Sequence, residues 1–128
     1  MRVFSFGHIL TKQVKDDIKK IVKERYNSQE GIGFNSVEFH IDMKKDMYPQ
    51  IKEILKRSME GQTNGEAPII AVPGLSVASA IIVAILHGVY GRFPLIAELT
   101  RSGQTWKLKK IHNLDSYRTI AREDRFSN

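Results

Sequence analysis

Arg2 to Phe6 (RVFSF) mixes apolar and polar positions in the alternating manner of a strand, and Gly7-His8 then reads as a turn. After Thr11, a good N-cap, the period becomes helical. Val14, Ile18, Ile21 and Val22 form an inner stripe up to about Tyr26, while Lys15, Lys19, Lys20, Lys23 and Arg25 form a solvated outer face. Asn27 to Asn35, with Gly31 and Gly33, reads as a loop. Val37, Phe39 and Ile41 alternate with Glu38 and His40, which predicts a second strand with His40 on a sheet face. After the polar connection Asp42 to Asp46, a helix is expected from about Tyr48 to Met59, with Ile51, Ile54 and Leu55 inward and Pro49 tolerated in its first turn. Glu60 to Glu66 is a loop.

The pattern then changes character. Ala67 to Gly91 reads APIIAVPGLSVASAIIVAILHGVYG. It predicts a buried strand over Pro68 to Val72, a turn at Pro73-Gly74 and a helix from about Ser76 to Tyr90 that is apolar nearly all round. A surface helix keeps a polar face, so this one lies in the core or faces a second copy of the chain. Gly88 and Gly91 read as helix-ending glycines. Phe93 to Thr100, a turn at Ser102-Gly103 and Thr105 to Ile111 predict an antiparallel hairpin, and Asp115 or Ser116 can cap a last helix to about Arg125. The tail Phe126 to Asn128 is expected to fray.

Strands alternating with helices predict an α/β fold: a Rossmann-like three-layer sandwich, mainly parallel, ending in a C-terminal antiparallel β-hairpin. Its 128 residues suit one domain spanning 1–128. Twenty Lys and Arg against fourteen Asp and Glu give a formal net charge of +6, which suits an anionic partner and equally an ordinary basic surface. The chain has no cysteine, so cysteine ligands and disulfides are excluded and a reducing compartment, the cytoplasm, is expected. The opening MRVFSFGHIL lacks the apolar run and cleavage site of a secretory signal. The apolar helix is shorter than the roughly 20 residues that span a bilayer.

Ligands of open α/β sheets sit beyond the carboxyl ends of the strands, where strand order reverses. Two loops leave such ends with suitable residues: Ser5-Phe6-Gly7-His8 and Pro73-Gly74-Leu75-Ser76. If the first and third strands are neighbours, these loops meet, and the start of the apolar helix aims amide N–H groups and a dipole at an anion there. Ser76 can cap that helix or donate to a phosphate oxygen. His8 is either a functional loop histidine or a turn residue bonded to backbone; His87 reads as a satisfied core or C-cap group, and His112 follows the hairpin. Arg92, Arg101 and Arg118 are candidate phosphate contacts, with plain surface solvation as the competing reading. No G-x-x-x-x-G-K-[ST], G-x-G-x-x-G or H-E-x-x-H motif occurs and no nucleophilic triad is visible, so no cofactor and no metal are expected.

Four segments occur in a distinctive order: FSFGHILTKQ, the VPGLS turn, LHGVYGRFPLIAEL and IHNLDSYRTIAR. Together they resemble the small CRISPR-associated family Csx-fifteen, found beside type III CRISPR systems, with Leu86-His87-Gly88 to Phe93-Pro94 as the most specific block. The chain departs from the family at Gly7, which separates Ser5-Phe6 from His8, and at Ile9, where proline is usual. The resemblance implies a CARF-like homodimer that binds cyclic oligoadenylate, foremost cyclic tetra-adenylate; the two strand-end loops and Arg92 supply its candidate contacts, Ser5, Phe6, Gly7, His8, Pro73, Gly74, Leu75, Ser76 and Arg92. It implies a free messenger rather than DNA or a membrane as partner. Such a protein would lower the messenger by sequestration, or by metal-independent ring cleavage with His8 as the one candidate catalytic group. Ligand on an open dimer surface would bridge dimers into a higher assembly. A non-enzymatic docking subunit is the reading from a third class.

Overall fold

The computed structural model describes residues 1–26 and 31–126. Its elements run β1 (Arg2–Phe6), α1 (Lys12–Tyr26), β2 (Gly33–Val37), α2 (Met47–Met59), β3 (Ile69–Ala71), α3 (Ser76–Tyr90), β4 (Leu95–Ser102), β5 (Thr105–Asn113) and α4 (Leu114–Asp124). The five strands form one sheet in the order β2-β1-β3-β4-β5. The first four are mutually parallel and β5 returns antiparallel to β4. The chain is therefore an α/β protein with a mostly parallel sheet, compatible with a Rossmann-like sandwich.

The strand order dictates where the helices lie. From β1 the chain moves one way along the sheet to β2, then back past β1 to β3 and onward to β4. Right-handed crossovers place α1 on one face and α2 and α3 on the other. The alternation along β1 shows the result: Val3 packs with Val14, Ile18 and Val22 of α1, whereas Phe4 and Phe6 pack with Ile51 and Leu55 of α2 and Ala78, Ile82 and Leu86 of α3. Arg25 Nη1 donates to the Ile111 carbonyl at 3.3 Å and ties the end of α1 to β5.

Local chemistry accounts for most boundaries. The Val14 amide donates to Thr11 Oγ1 at 3.2 Å, an N-cap for α1. Thr11→Ala is expected to cost about 1 kcal/mol, read as a lower urea midpoint with unchanged slope. Asp46 caps α2 by accepting from the Tyr48 amide. Gly91, at φ 74°, takes the left-handed position that ends α3, and its N–H donates to the His87 carbonyl.

Several expectations are corrected. The second strand is Gly33–Val37, not Val37 to Ile41. It pairs in parallel with β1 from Arg2↔Gly33 to Phe6↔Val37, and once β1 ends there is no partner to extend the ladder. Phe39 and Ile41 still pack against the α2–α3 core, so their alternation reflects burial rather than pairing. His40 consequently lies past the strand, exposed. The expected loop at Asn27 to Asn35 gives way to β2 from Gly33, and its residues 27–30 lie outside the described residues. Gly88 sits inside α3, and Gly91 alone ends it. β4 runs two residues later than expected, and β5 continues to Asn113, so His112 belongs to the hairpin. A register shift between Glu98 and Leu99 bends that pair. Asn113, not Asp115 or Ser116, caps α4 by accepting from the Ser116 amide at 3.1 Å. Phe126 is exposed, and residues 127–128 lie outside the described residues.

Candidate functional site

β1 and β3 are neighbours, with Ser5 opposite Ala71. The turns that follow them therefore leave the sheet side by side, where strand order reverses and the crevice of an open α/β sheet forms. Gly7 adopts φ 77°, a left-handed conformation that glycine takes without steric cost, and its amide donates to the Val37 carbonyl at 3.0 Å. That bond pins the β1 turn to the end of β2 and delivers His8 to the crevice.

The second turn opens α3. Its N-cap position is Leu75, which has no side-chain acceptor, and no side-chain cap hydrogen bond is made. The first-turn amides of a helix have no intrahelical acceptor, so this start keeps the partial positive charge that an N-cap serine or aspartate would have blunted. Ser76 is the first helical residue rather than the cap, and Gly74, Leu75, Ser76 and Val77 are all exposed. Ser79 holds the turn instead: its Oγ donates to the carbonyls of Pro73 at 3.0 Å and Leu75 at 2.9 Å.

The β4–β5 hairpin supplies a third wall. A cavity of about 380 Å³ lies between His8, Gly74, Val72 and the hairpin residues Ile96, Glu98 and Trp106. The His8 ring meets the Trp106 indole in a T-shaped contact at 5.3 Å, and the Arg101 guanidinium lies over the same indole at 5.3 Å. On the cavity floor His112 Nε2 and Glu98 Oε1 are 2.6 Å apart, and His112 Nδ1 and the Tyr117 hydroxyl 2.7 Å. Nε2–H donates to the carboxylate and Nδ1 pairs with the phenol oxygen, so one chain of hydrogen bonds joins β4, β5 and α4. Lys109 Nζ adds a longer contact to Glu98 Oε2 at 3.7 Å.

The hydrogen bond from His112, aided by the charges of Lys109 and His112, lowers the Glu98 pKa below its ordinary 4.5, against a smaller opposing desolvation. A carboxyl whose folded pKa is depressed contributes stability above its unfolded pKa and loses it as pH falls through the folded value. Wild-type protein is therefore expected to lose more thermal stability than Glu98→Gln on acidification below about pH 4.5. Melting curves of both proteins, followed by circular dichroism across that range, check this; parallel curves would remove Glu98 from the account.

The nine expected site residues separate into three groups. Gly7, His8, Gly74, Leu75 and Ser76 stand at the crevice. Ser5, Phe6 and Pro73 do not present side chains there, because all three are buried. Ser5 Oγ donates to Ser36 Oγ at 3.4 Å, and Phe6 meets Phe39 edge-on at 6.1 Å in the core. Arg92 lies beyond the far end of α3, about 22 Å of helix from the crevice, and contacts Asp115 at 3.5 Å. Arg118 lies on exposed α4, whereas Arg101 joins the site through Trp106. His87 is a packing residue, its ring 4.3 Å from that of Phe93. Residue patterning alone did not single out Trp106 or Glu98; period-two spacing marks them as strand residues, and only the strand order brings them over the crevice.

Wider hollows exist. One of about 570 Å³ runs along the open edge of β2 and α2, and one of about 580 Å³ along the groove between α2 and α3. Neither lies at the strand-order reversal. Among the described residues no group of three or more His, Cys, Asp or Glu can hold a metal ion, and no helix is long and apolar enough to cross a membrane. No protein-family model, curated protein or solved structure matches this chain.

Proposed function

We propose that the chain is a CARF-like protein that binds cyclic oligoadenylate, the second messenger of type III CRISPR signalling, and lowers its free concentration in the cytoplasm by sequestration. The observation that carries the site is the meeting of the β1 turn with the uncapped start of α3 at the strand-order reversal. Ribose-phosphate is the natural occupant of such a spot: amide N–H groups and a helix dipole favour an anion, and the chain carries a formal net charge of +6. The adenylate identity comes from the sequence resemblance.

Cyclic tetra-adenylate has four phosphates and two-fold symmetry, so it suits two copies of the crevice related by a dyad. α3 supports such a homodimer. It buries Ala78, Ile82 and Leu86 against the sheet, yet leaves Val77, Ala80, Ala84 and Val89 exposed. No Lys, Arg, Asp or Glu occurs from Ser76 to Tyr90, so two basic chains meet there without charge repulsion. Ligand held at an open rim of this dimer would also bridge to a second dimer.

Sequestration is preferred to cleavage because His8, the ring at the β1 turn, is hydrogen-bonded to no acid among the described residues, and the cavity's other ring, His112, is already engaged by Glu98 and Tyr117. Ring cleavage by the ribose 2′-hydroxyl needs only in-line positioning and charge stabilisation, so turnover must be measured. Purified protein incubated with radiolabelled cyclic tetra-adenylate should retard the label in a native gel and return it intact on denaturation. Linear product over several turnovers would make the chain a ring nuclease, with His8→Ala then expected to slow cleavage more than binding. No retardation at all would leave only a docking role.

A further inference from the structure

We infer that the cavity beneath the hairpin is a nucleobase slot that takes one amine-bearing purine, with Trp106 as its stacking surface and Glu98 as its amine acceptor. The inference rests on the nucleotide reading of the crevice and assigns a second, separate part of the nucleotide. The cavity opens beside Gly74, one residue before the N-cap of α3, so a phosphate at the helix start leaves its base within reach of the slot. Its volume of about 380 Å³ is at the small end of ligand pockets, enough for a single nucleoside and too small for an oligonucleotide.

The walls match a planar aromatic guest. Val72, Ile96 and Leu99 are apolar, and the Trp106 indole, which His8 meets in a T-shaped contact, offers an aromatic ring on which a base can stack. Arg101 over the indole adds positive charge beside the path of the phosphates. The polar groups lie on the floor. Glu98 spends one oxygen on His112 and has a longer contact from the other to Lys109. An ionised carboxylate accepts at about four lone-pair positions, so it retains capacity for an exocyclic amine. A base presenting a carbonyl at the same place would set acceptor against acceptor.

Trp106 is the chain's single tryptophan, so its fluorescence reports this slot alone. Adenosine 5′-monophosphate is expected to quench it saturably, and inosine 5′-monophosphate to need at least tenfold more nucleotide. Stacking on an aromatic side chain is worth enough that Trp106→Ala should weaken retention of cyclic tetra-adenylate about tenfold to a hundredfold. Trp106→Phe, which keeps a ring, should retain most of the affinity, and circular dichroism should show both variants folded. Quenching by the monophosphate without gel retardation of the cyclic tetramer would support the slot and overturn the messenger. Retardation with unchanged fluorescence and unchanged affinity in Trp106→Ala would overturn the slot and leave the messenger standing. Equal quenching by the two nucleotides would overturn the role of Glu98.

Discussion

Ser76→Glu is expected to weaken binding of cyclic tetra-adenylate at least a hundredfold while the protein melts no lower than wild type. The two halves of that result have opposite physical causes. Ser76 is the first residue of α3, where the helix carries a partial positive charge, so a carboxylate there stabilises the helix by roughly 0.3–1 kcal/mol. The same carboxylate occupies the place proposed for a phosphate, and juxtaposed like charges cost several kcal/mol in a complex. A hundredfold loss corresponds to about 3 kcal/mol. Ser76→Ala should cost far less, because the account assigns the anion to backbone amides more than to the hydroxyl. Unchanged affinity in Ser76→Glu would refute the proposed crevice, since nothing crowds this exposed position into a purely structural role.

Phe6→Ala is expected to cost about 3–5 kcal/mol of folding stability, a large share of the roughly 5–15 kcal/mol that holds a domain together. Phe6 is fully buried, packs in the α2–α3 core and contacts Phe39 edge-on. Removing it leaves a cavity between the end of β1 and the helices above it. Urea unfolding reads the loss directly. Phe6→Leu keeps most of the volume and should retain messenger binding at wild-type strength. A tenfold loss of affinity in Phe6→Leu at unchanged stability would return Phe6 to the ligand, against its buried position.

Ser76 and Phe6 belong to the two turns that meet beside the crevice, yet only Ser76 is exposed there. Ser5-Phe6-Gly7-His8 is legible as a strand end and turn because a glycine follows the alternating residues of RVFSF, and in the structure that glycine takes a left-handed φ of 77°. What the pattern left open is which side chains turn inward. Phe6 continues the inward alternation of β1, and Ser5, though polar, is buried with Ser36 as partner. The bounds of α3, Ser76–Tyr90, were legible for a related reason: a proline–glycine turn and a terminal glycine bracket it. Its environment was less legible, because an all-apolar helix fits burial and association equally well. In the single chain it is buried along one stripe and exposed along another.

β2 lies earlier than the pattern predicts because Val37, Phe39 and Ile41 alternate more clearly than Gly33-Phe34-Asn35-Ser36, although the latter lie beside β1. Parallel pairing is a non-local property, and alternation reports burial of one face whether or not a neighbouring strand exists. Arg92 reads from the sequence as a candidate phosphate contact because it is a cation in a basic chain, while the length of α3 carries it to the other end of the sheet, beside Asp115. The hairpin's contribution to the cavity was hidden for the opposite reason. Trp106 and Glu98 are far in sequence from both turns, and only the order β2-β1-β3-β4-β5 brings the hairpin beside them.

Titration of isotopically labelled protein with cyclic tetra-adenylate, followed through its backbone amide resonances, tests the central claim most directly. The account predicts that the largest shifts fall on Gly7, His8, Gly74, Leu75, Ser76 and Val77, with smaller ones along Glu98 and Trp106. Largest shifts along the β2–α2 groove, at Asn35, Ser36, Gln50 and Arg57, would place the ligand elsewhere and contradict it.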